Sequence, residues 1–343
     1  MKKKIALVTG SAGQDGSYLC KLLIDKKYKV IAADRRSSRN SFERHKELGI
    51  YDYLIYEDFD LTDLGSIVKL LTKYKFDEIY NLAGQSFVQT SFFAPFTTSE
   101  IVAHGVLRIL ETIRMFNLKT KFYQASSSEM FGKTFSSTQN EKTMFYPRSP
   151  YGVAKLYAHH ITKNYRESFN IFACSGILFN HESPLRGEEF VTKKITKHLA
   201  QVFHGKRKYL ELGNIESKRD WGFAGDYVEA MWKMLQQKNP DDYVIATNKI
   251  FSVKDFVNEC FKILKIKVKW YGSGIKTIAR DVKTKKILVK VNPKFFRASE
   301  VDYLKGDYSK AKKKLKWIPK TDFKKLVKIM LDYDLSKESS SKN

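Results

Sequence analysis

Ile5-Ala6-Leu7-Val8-Thr9-Gly10-Ser11-Ala12-Gly13-Gln14-Asp15-Gly16 is a short apolar run that breaks at a glycine loop. Residues 4–8 read as a buried strand and 17–26 as a helix. Glycines spaced Gly-x-x-Gly-x-x-Gly between the two allow a tight turn, close approach of a ligand to the main chain, and close helix packing. The helix then aims its first N–H groups at the loop, which suits the pyrophosphate of a dinucleotide. Glycine-rich turns without ligands also occur, so the strand–loop–helix setting carries the weight.

Outward from this loop, strands and helices alternate. A second strand (28–33) ends at Asp34-Arg35-Arg36-Ser37-Ser38, where the adenosine ribose of a dinucleotide would lie. An acid there would bond a ribose 2′-hydroxyl and arginines a 2′-phosphate. Both are present; the paired arginines and serines favour NADP, with Asp34 the objection. A strand at 53–59, a helix at 64–74, a strand at 78–81, a helix at 98–116 and a strand at 121–125 follow. This rhythm predicts an α/β fold: a Rossmann-type, doubly wound parallel sheet covered on both faces. Ligands of such sheets bind beyond the carboxyl ends of the strands. Gly10, Asp34, Ala83, Ser127 and Glu129 all fall at such ends.

Pro147-Arg148-Ser149-Pro150-Tyr151-Gly152-Val153-Ala154-Lys155 starts the next helix. Proline is favoured at a first helical position. Tyr151 and Lys155 are then one turn apart on one face. A free phenol has a pKa near ~10, and a neighbouring cation lowers it. Tyr151 is therefore a candidate proton acceptor with Lys155 as its tuner. An amphipathic helix with Tyr inside and Lys in water gives the same pair by chance.

A strand at 172–179 runs into a polar, turn-rich stretch at 181–192, where a smaller lobe is expected to begin. A helix at 227–235 and a strand at 243–247 return to the first domain. A helix at 253–264, a basic stretch at 272–300 around a strand at 287–291, and helices at about 308–315 and 323–335 complete the chain. The 343 residues carry a net charge of +25, mostly lysine and spread along the chain. With no zinc-finger spacing and no aromatic RNA-binding signature, nucleic acid is not an expected partner. Nor is a membrane, since no apolar run is of spanning length. Three cysteines, Cys20, Cys174 and Cys260, show no metal spacing and suit a reducing cytoplasm.

Several blocks together resemble the GDP-mannose 4,6-dehydratase family of extended short-chain dehydrogenases/reductases. They are the glycine pattern, Tyr151-x-x-x-Lys155, Arg35-Arg36-Ser37-Ser38, Asn81-Leu82-Ala83 with Gln85-Ser86, and Gln124-Ala125-Ser126-Ser127-Ser128-Glu129. Asn180-His181-Glu182-Ser183-Pro184, Gly213-Asn214, Lys218-Arg219-Asp220-Trp221-Gly222, 226–232 and Glu300-Val301-Asp302 continue the match, so that it covers roughly residues 4–330 in order. The resemblance implies an internal NADP redox cycle on a GDP-sugar, GDP-mannose first. Tyr151, Lys155, Ser127 and Glu129 would be catalytic: Tyr151 takes the C4-hydroxyl proton, Ser127 bonds O4, and Glu129 removes the C5 proton and helps the C6 hydroxyl leave. On alternate-residue spacing in an extended segment, Ser127 and Glu129 can share one face.

By position, the cofactor would be touched by Gly10, Gly13, Gln14, Asp15, Gly16, Arg35, Arg36, Asp60, Leu61, Leu82, Ala83, Gln85, Tyr151, Lys155 and His181. The sugar nucleotide would be touched by Ser86, Asn180, Val191, Thr192, Lys194, Gly213, Lys218, Arg219, Arg297 and Glu300. No metal is expected. The departures are Ser127 for the usual Thr, Phe87 for His, Gly84 for Ala, Ala298 for Pro, an acid at 34, and Leu185-Arg186-Gly187-Glu188-Glu189 where two arginines are usual. These make GDP-manno-heptose the alternative substrate; an epimerase or reductase, and a non-catalytic binding protein, are further readings. The expected domains are 1–180 as the NADP-binding domain (completed by about 219–262), 181–218 and 263–335 as the GDP-sugar lobe, and 336–343 as a disordered tail. A homodimer or homotetramer is expected, with the segment after Arg36 reaching a neighbouring subunit.

Overall fold

The computed structural model describes residues 3–38, 42–134, 136–296 and 303–340. Its centre is a seven-stranded sheet. The first half of the chain supplies β1 (Ile5–Thr9), α1 (Gln14–Asp25), β2 (Lys29–Asp34), a short α2 (Glu43–Glu47), β3 (Ile55–Asp58), α3 (Leu64–Lys73) and β4 (Glu78–Asn81). Then come α4 (Val88–Phe93), α5 (Pro95–Ser99), a wide turn of helix at Glu100–His104, α6 (Gly105–Met115), β5 (Lys121–Ser127), α7 (Pro150–Phe169) and β6 (Ala173–Leu178). All neighbouring strands of this sheet run parallel, in the order β11 (Tyr243–Ile245), β6, β5, β4, β1, β2, β3.

Strand alternation explains how both faces are covered. Ala6 and Val8 point to one side, against Leu19 and Leu23 of α1 and Met231 of α9 (Ala224–Leu235). Leu7 points to the other, against Ile67 and Leu70 of α3 and Ile109 of α6. The fold class is therefore the one expected.

The second lobe is built from β7 (His181–Glu182), α8 (Val191–Phe203), β8 (Leu210–Leu212), β9 (Lys218–Arg219), β10 (Gly222–Phe223), β12 (Phe251–Ser252), α10 (Val253–Ile263), β13 (Val268–Tyr271), β14 (Ile278–Asp281), β15 (Ile287–Val291), β16 (Tyr303–Leu304) and α12 (Phe323–Ser340), whereas α11 (Ser309–Leu315), expected in this lobe, packs through Ala311 and Leu315 into the first core beside α9 and β11. Its main sheet has the order β13-β14-β15-β8, and its core joins Ile195 and Leu199 of α8, Phe256 and Cys260 of α10, and Leu326 and Met330 of α12.

Two further expectations fail here. The helix expected at 253–264 packs in this second core, not in the nucleotide-binding half, because its buried face meets α8 and α12. The tail expected to be disordered from Ser336 continues α12 through Ser340. Glu338, at 3.0 Å from Lys206 Nζ and 3.0 Å from Gln201 Nε2, fastens that last turn.

Candidate active site

The carboxyl ends of β1, β2, β4, β5 and β6 open on a cleft of about 640 Å³ that also faces the second lobe. At the β1 end, Gly10 has φ +67°, and a Cβ on it would lie 2.8 Å from Ala83 Cα. A Cβ on Gly16 would lie 2.3 Å from the Gly10 carbonyl. Loop, strand end and helix are thus in contact with no room for side chains. Gly13 is the N-cap of α1 and supplies no side-chain cap, and the first turn, Gln14–Gly16, lines the cleft. This cradle fits a dinucleotide pyrophosphate.

Asp34 lines the cleft, yet its carboxylate is already engaged: it accepts from the Ser11 hydroxyl and, at 3.2 Å, from the Ala12 N–H, bracing the loop. Burial pushes it up to about 6. Arg35 lines the cleft beside it, while Arg36 is exposed. Asp15, at the start of α1, meets His181 with Oδ2 2.7 Å from Nε2. Burial alone would raise Asp15, but the facing imidazole outweighs it and leaves the carboxyl below its ordinary value. Burial likewise disfavours a charged His181, and Asp15 overrides it, raising the imidazole. His181 Nδ1 lies 2.7 Å from the Phe179 carbonyl, so a doubly protonated ring satisfies both partners.

At the β5 end, Ser127 closes the strand and its Oγ accepts the Glu129 N–H at 3.2 Å. Glu129 lies in a single tight turn, Ser128–Met130, not in an extended segment as expected; both side chains nonetheless line the cleft. α7 starts where Pro150 predicts. Ser149 caps it by accepting from Gly152 N–H at 3.0 Å. This brings Tyr151 and Lys155 to the same cleft, both buried.

The expected tuning of Tyr151 by Lys155 is not what the geometry gives. Lys155 Nζ donates to the Ala125 carbonyl at 2.7 Å and sits 5.8 Å from the tyrosine ring centroid. Burial dominates and raises the Tyr151 phenol well above its ordinary value; the Glu129 and Asp15 carboxylates add to this, and Ser127 and Arg186 oppose it. Burial also lowers Lys155 to about 8.

Most of the remaining expected residues line the cleft: Gly13, Gln14, Asp60, Leu61, Leu82, Ala83, Gln85, Ser86, Asn180, Val191, Gly213 and Arg219. Asn180 Oδ1 and Gln85 Oε1 are buried there with no hydrogen-bond partner among the described residues, open acceptors for a ligand's donors. Three residues stand apart from the lining. Thr192 is fully buried, and its hydroxyl is spent on Glu182 at 2.5 Å. Lys194 Nζ lies 3.2 Å over the Phe295 ring, which itself lines the cleft. Lys218 is exposed. Arg297 and Glu300 lie outside the described residues, as does Ala298.

Sequence reasoning missed Arg186 as a site residue. Its Nε is 3.2 Å from Glu182 Oε2, and its guanidinium lies 3.5 Å over the Phe190 ring, inside the cleft. Phe190 meets Phe87 edge-on at 5.6 Å, making one wall. The arginine in the 185–189 loop was the available signal. Among the described residues no group of three metal-ligating side chains occurs, and no helix is long and apolar enough to cross a membrane.

Comparison with known proteins places these features in a lineage. The family model described as GDP-mannose 4,6 dehydratase matches residues 7–330. The GDP-mannose 4,6 dehydratase of Drosophila melanogaster is 48% identical over 97% of this chain and 87% of its own length. That of Vibrio cholerae is 46% identical over 99% and 96%, and that of Homo sapiens 45% over 97% and 92%. Among solved structures, dTDP-glucose 4,6-dehydratase from Bacillus anthracis, in complex with NAD, superposes with TM-score 0.80 at 19% identity over 98% of both chains. An RMD from Pseudomonas aeruginosa complexed with NADPH does so with TM-score 0.76 at 19% identity over 97% and 100%. At these identities the solved structures speak for the fold.

Proposed function

The chain belongs to the GDP-mannose 4,6-dehydratase family, and from that premise we propose that it converts GDP-D-mannose to GDP-4-keto-6-deoxy-D-mannose by an internal redox cycle on NADP, as a carbon–oxygen lyase. The observation that carries this reading is the meeting of Ser127, Glu129, Tyr151 and Lys155 with the glycine loop in one cleft. The named relatives act on GDP-mannose, and no observation favours GDP-manno-heptose over it.

The cofactor, when bound, supplies a reversible hydride store, filled from C4 and emptied to C6. The rest falls to this chain's side chains. Tyr151 takes the O4 proton as C4 becomes a ketone, with Ser127 bonding O4. Burial raises Tyr151 and holds it protonated, and Ser127 and Arg186 pull against that rise, toward the phenolate that accepts the O4 proton. The C4 ketone acidifies the C5 proton, which Glu129 removes and passes to the departing C6 oxygen, so that water leaves. One proton is then needed at C5, and the proton on Tyr151 balances it. Arg219 is suited to the diphosphate, and Asn180 to a sugar hydroxyl.

NADP over NAD is supported by Asp34, whose carboxylate is engaged with the loop, and by Arg35 at the cleft edge. A homodimer or homotetramer is supported by an apolar face on α4, α5 and α7, where Phe93 and Phe96 are 81% and 87% exposed beside Val153 and Tyr157. We place the enzyme in the cytoplasm, where three buried free cysteines remain reduced. The test is purified enzyme with GDP-mannose and catalytic NADP but no other reductant. The expected product is lighter by one water; an epimer of unchanged mass would overturn the reading.

A further inference from the structure

The glycine loop and the loop at 185–190, which carries Arg186 and Phe190, are joined by one side chain. Arg44 donates from Nη1 to the Ala12 carbonyl at 3.0 Å and from Nε to the Leu185 carbonyl at 2.8 Å. Its helix, α2, is itself anchored. His45 is fully buried, with Nε2 2.8 Å from the Ser11 carbonyl and Nδ1 3.2 Å from the Tyr56 hydroxyl. Phe42 stacks on His45 at 5.6 Å and packs on Tyr56 at 4.4 Å. A guanidinium is a rigid fork, so its two bonds fix the distance between the carbonyls they reach. Ala12 lies between two glycines of the cradle. Leu185 directly precedes Arg186, whose guanidinium is clamped between Glu182 and the Phe190 ring. A short covalent and hydrogen-bonded path thus runs from the glycine loop to the Arg186 cation across the cleft.

We propose that Arg44 is a positioning residue that couples nucleotide occupancy of the glycine loop to the sugar-nucleotide half of the site, by tying Ala12 to the loop bearing Arg186. This rests on the reading that the glycine loop holds the dinucleotide. Binding of each ligand would then strengthen the other, and the effect must be reciprocal.

The test is calorimetric titration of GDP into enzyme stripped of cofactor and enzyme saturated with NADPH. Wild type is expected to bind GDP at least about fivefold more tightly when saturated. Arg44→Met is expected to bring the ratio near one, and Arg44→Lys, which serves the two carbonyls less rigidly, to give an intermediate ratio. Should Arg44→Met fail to fold, Arg44→Lys and Arg44→Gln carry the comparison. A ratio of one in wild type, or an unchanged ratio in the variants, overturns the proposal. A parallel NADPH fluorescence titration separates the two levels. NADPH binding with unchanged coupling sinks only the role of Arg44, whereas no NADPH binding at all sinks the reading of the glycine loop.

Discussion

At the scale of single residues, the proposed reaction asks two side chains to handle protons. Tyr151 is raised by burial and by the nearby Glu129 carboxylate, and Ser127 and Arg186 pull against that rise. A Tyr151 phenolate and the Glu129 carboxylate would oppose each other, so the proposed mechanism links its proton moves through these two groups. Tyr151→Phe removes the acceptor for the O4 proton and should lower turnover about 10²–10⁴-fold. Glu129→Gln should stop water loss to a similar degree while leaving GDP-mannose binding intact. Product mass and GDP-mannose titration check both. A Glu129→Gln enzyme that still expels water at the wild-type rate would remove Glu129 from the mechanism.

At the scale of elements, the glycine loop with α1 and the start of α7 were legible because their constraints are local. Glycines sit where a Cβ cannot, and a proline stands at a helix start. The helix α8 was not legible: its buried face, Thr192, Lys193, Ile195, Thr196 and Leu199, mixes polar with apolar residues. The pairing that makes this possible, Lys193 with Asp334 of α12, is distant in sequence. The same reason hid the brace on Asp34, whose partners lie on another loop, and the tie made by Arg44. Lys155 misled in the opposite way: its helical spacing was right, but the Ala125 carbonyl, outside the helix, accepts its hydrogen bond. A direct test of the loop is Gly16→Ala. The added methyl would meet backbone at 2.3 and 2.6 Å, so the loop must move. NADPH affinity should fall at least about tenfold, equivalent to about 1.4 kcal/mol. Unchanged fluorescence titration would show that the loop is not the nucleotide cradle.

At the scale of the whole molecule, two cores meet along one cleft, and buried polar contacts cross it. Gln14 Oε1 takes the Ser183 hydroxyl at 2.8 Å, and Asp15 holds His181. Because His181 is raised above its ordinary value, its stabilising contribution is full below about 6.5 and is lost as pH rises through the folded value. Asp15, lowered, contributes above its ordinary value near 3.8 and loses that contribution as pH falls. Wild-type melting temperature should therefore decline on the alkaline side of neutrality more steeply than that of His181→Gln; parallel pH–melting curves for the two would contradict the ion pair. The lysine-rich surface behind the net charge of +25 leaves the α4–α5–α7 face as an apolar exception. If the proposed oligomer forms through this face, Phe93→Glu with Phe96→Glu should dissociate it, read as a fall in mass by light scattering.

The internal redox cycle is tested most directly with GDP-mannose carrying deuterium at C4. The account predicts a product lighter by one water that retains the deuterium, now at C6, with only catalytic NADP present. Loss of the deuterium to solvent, or a requirement for stoichiometric reductant, would contradict it.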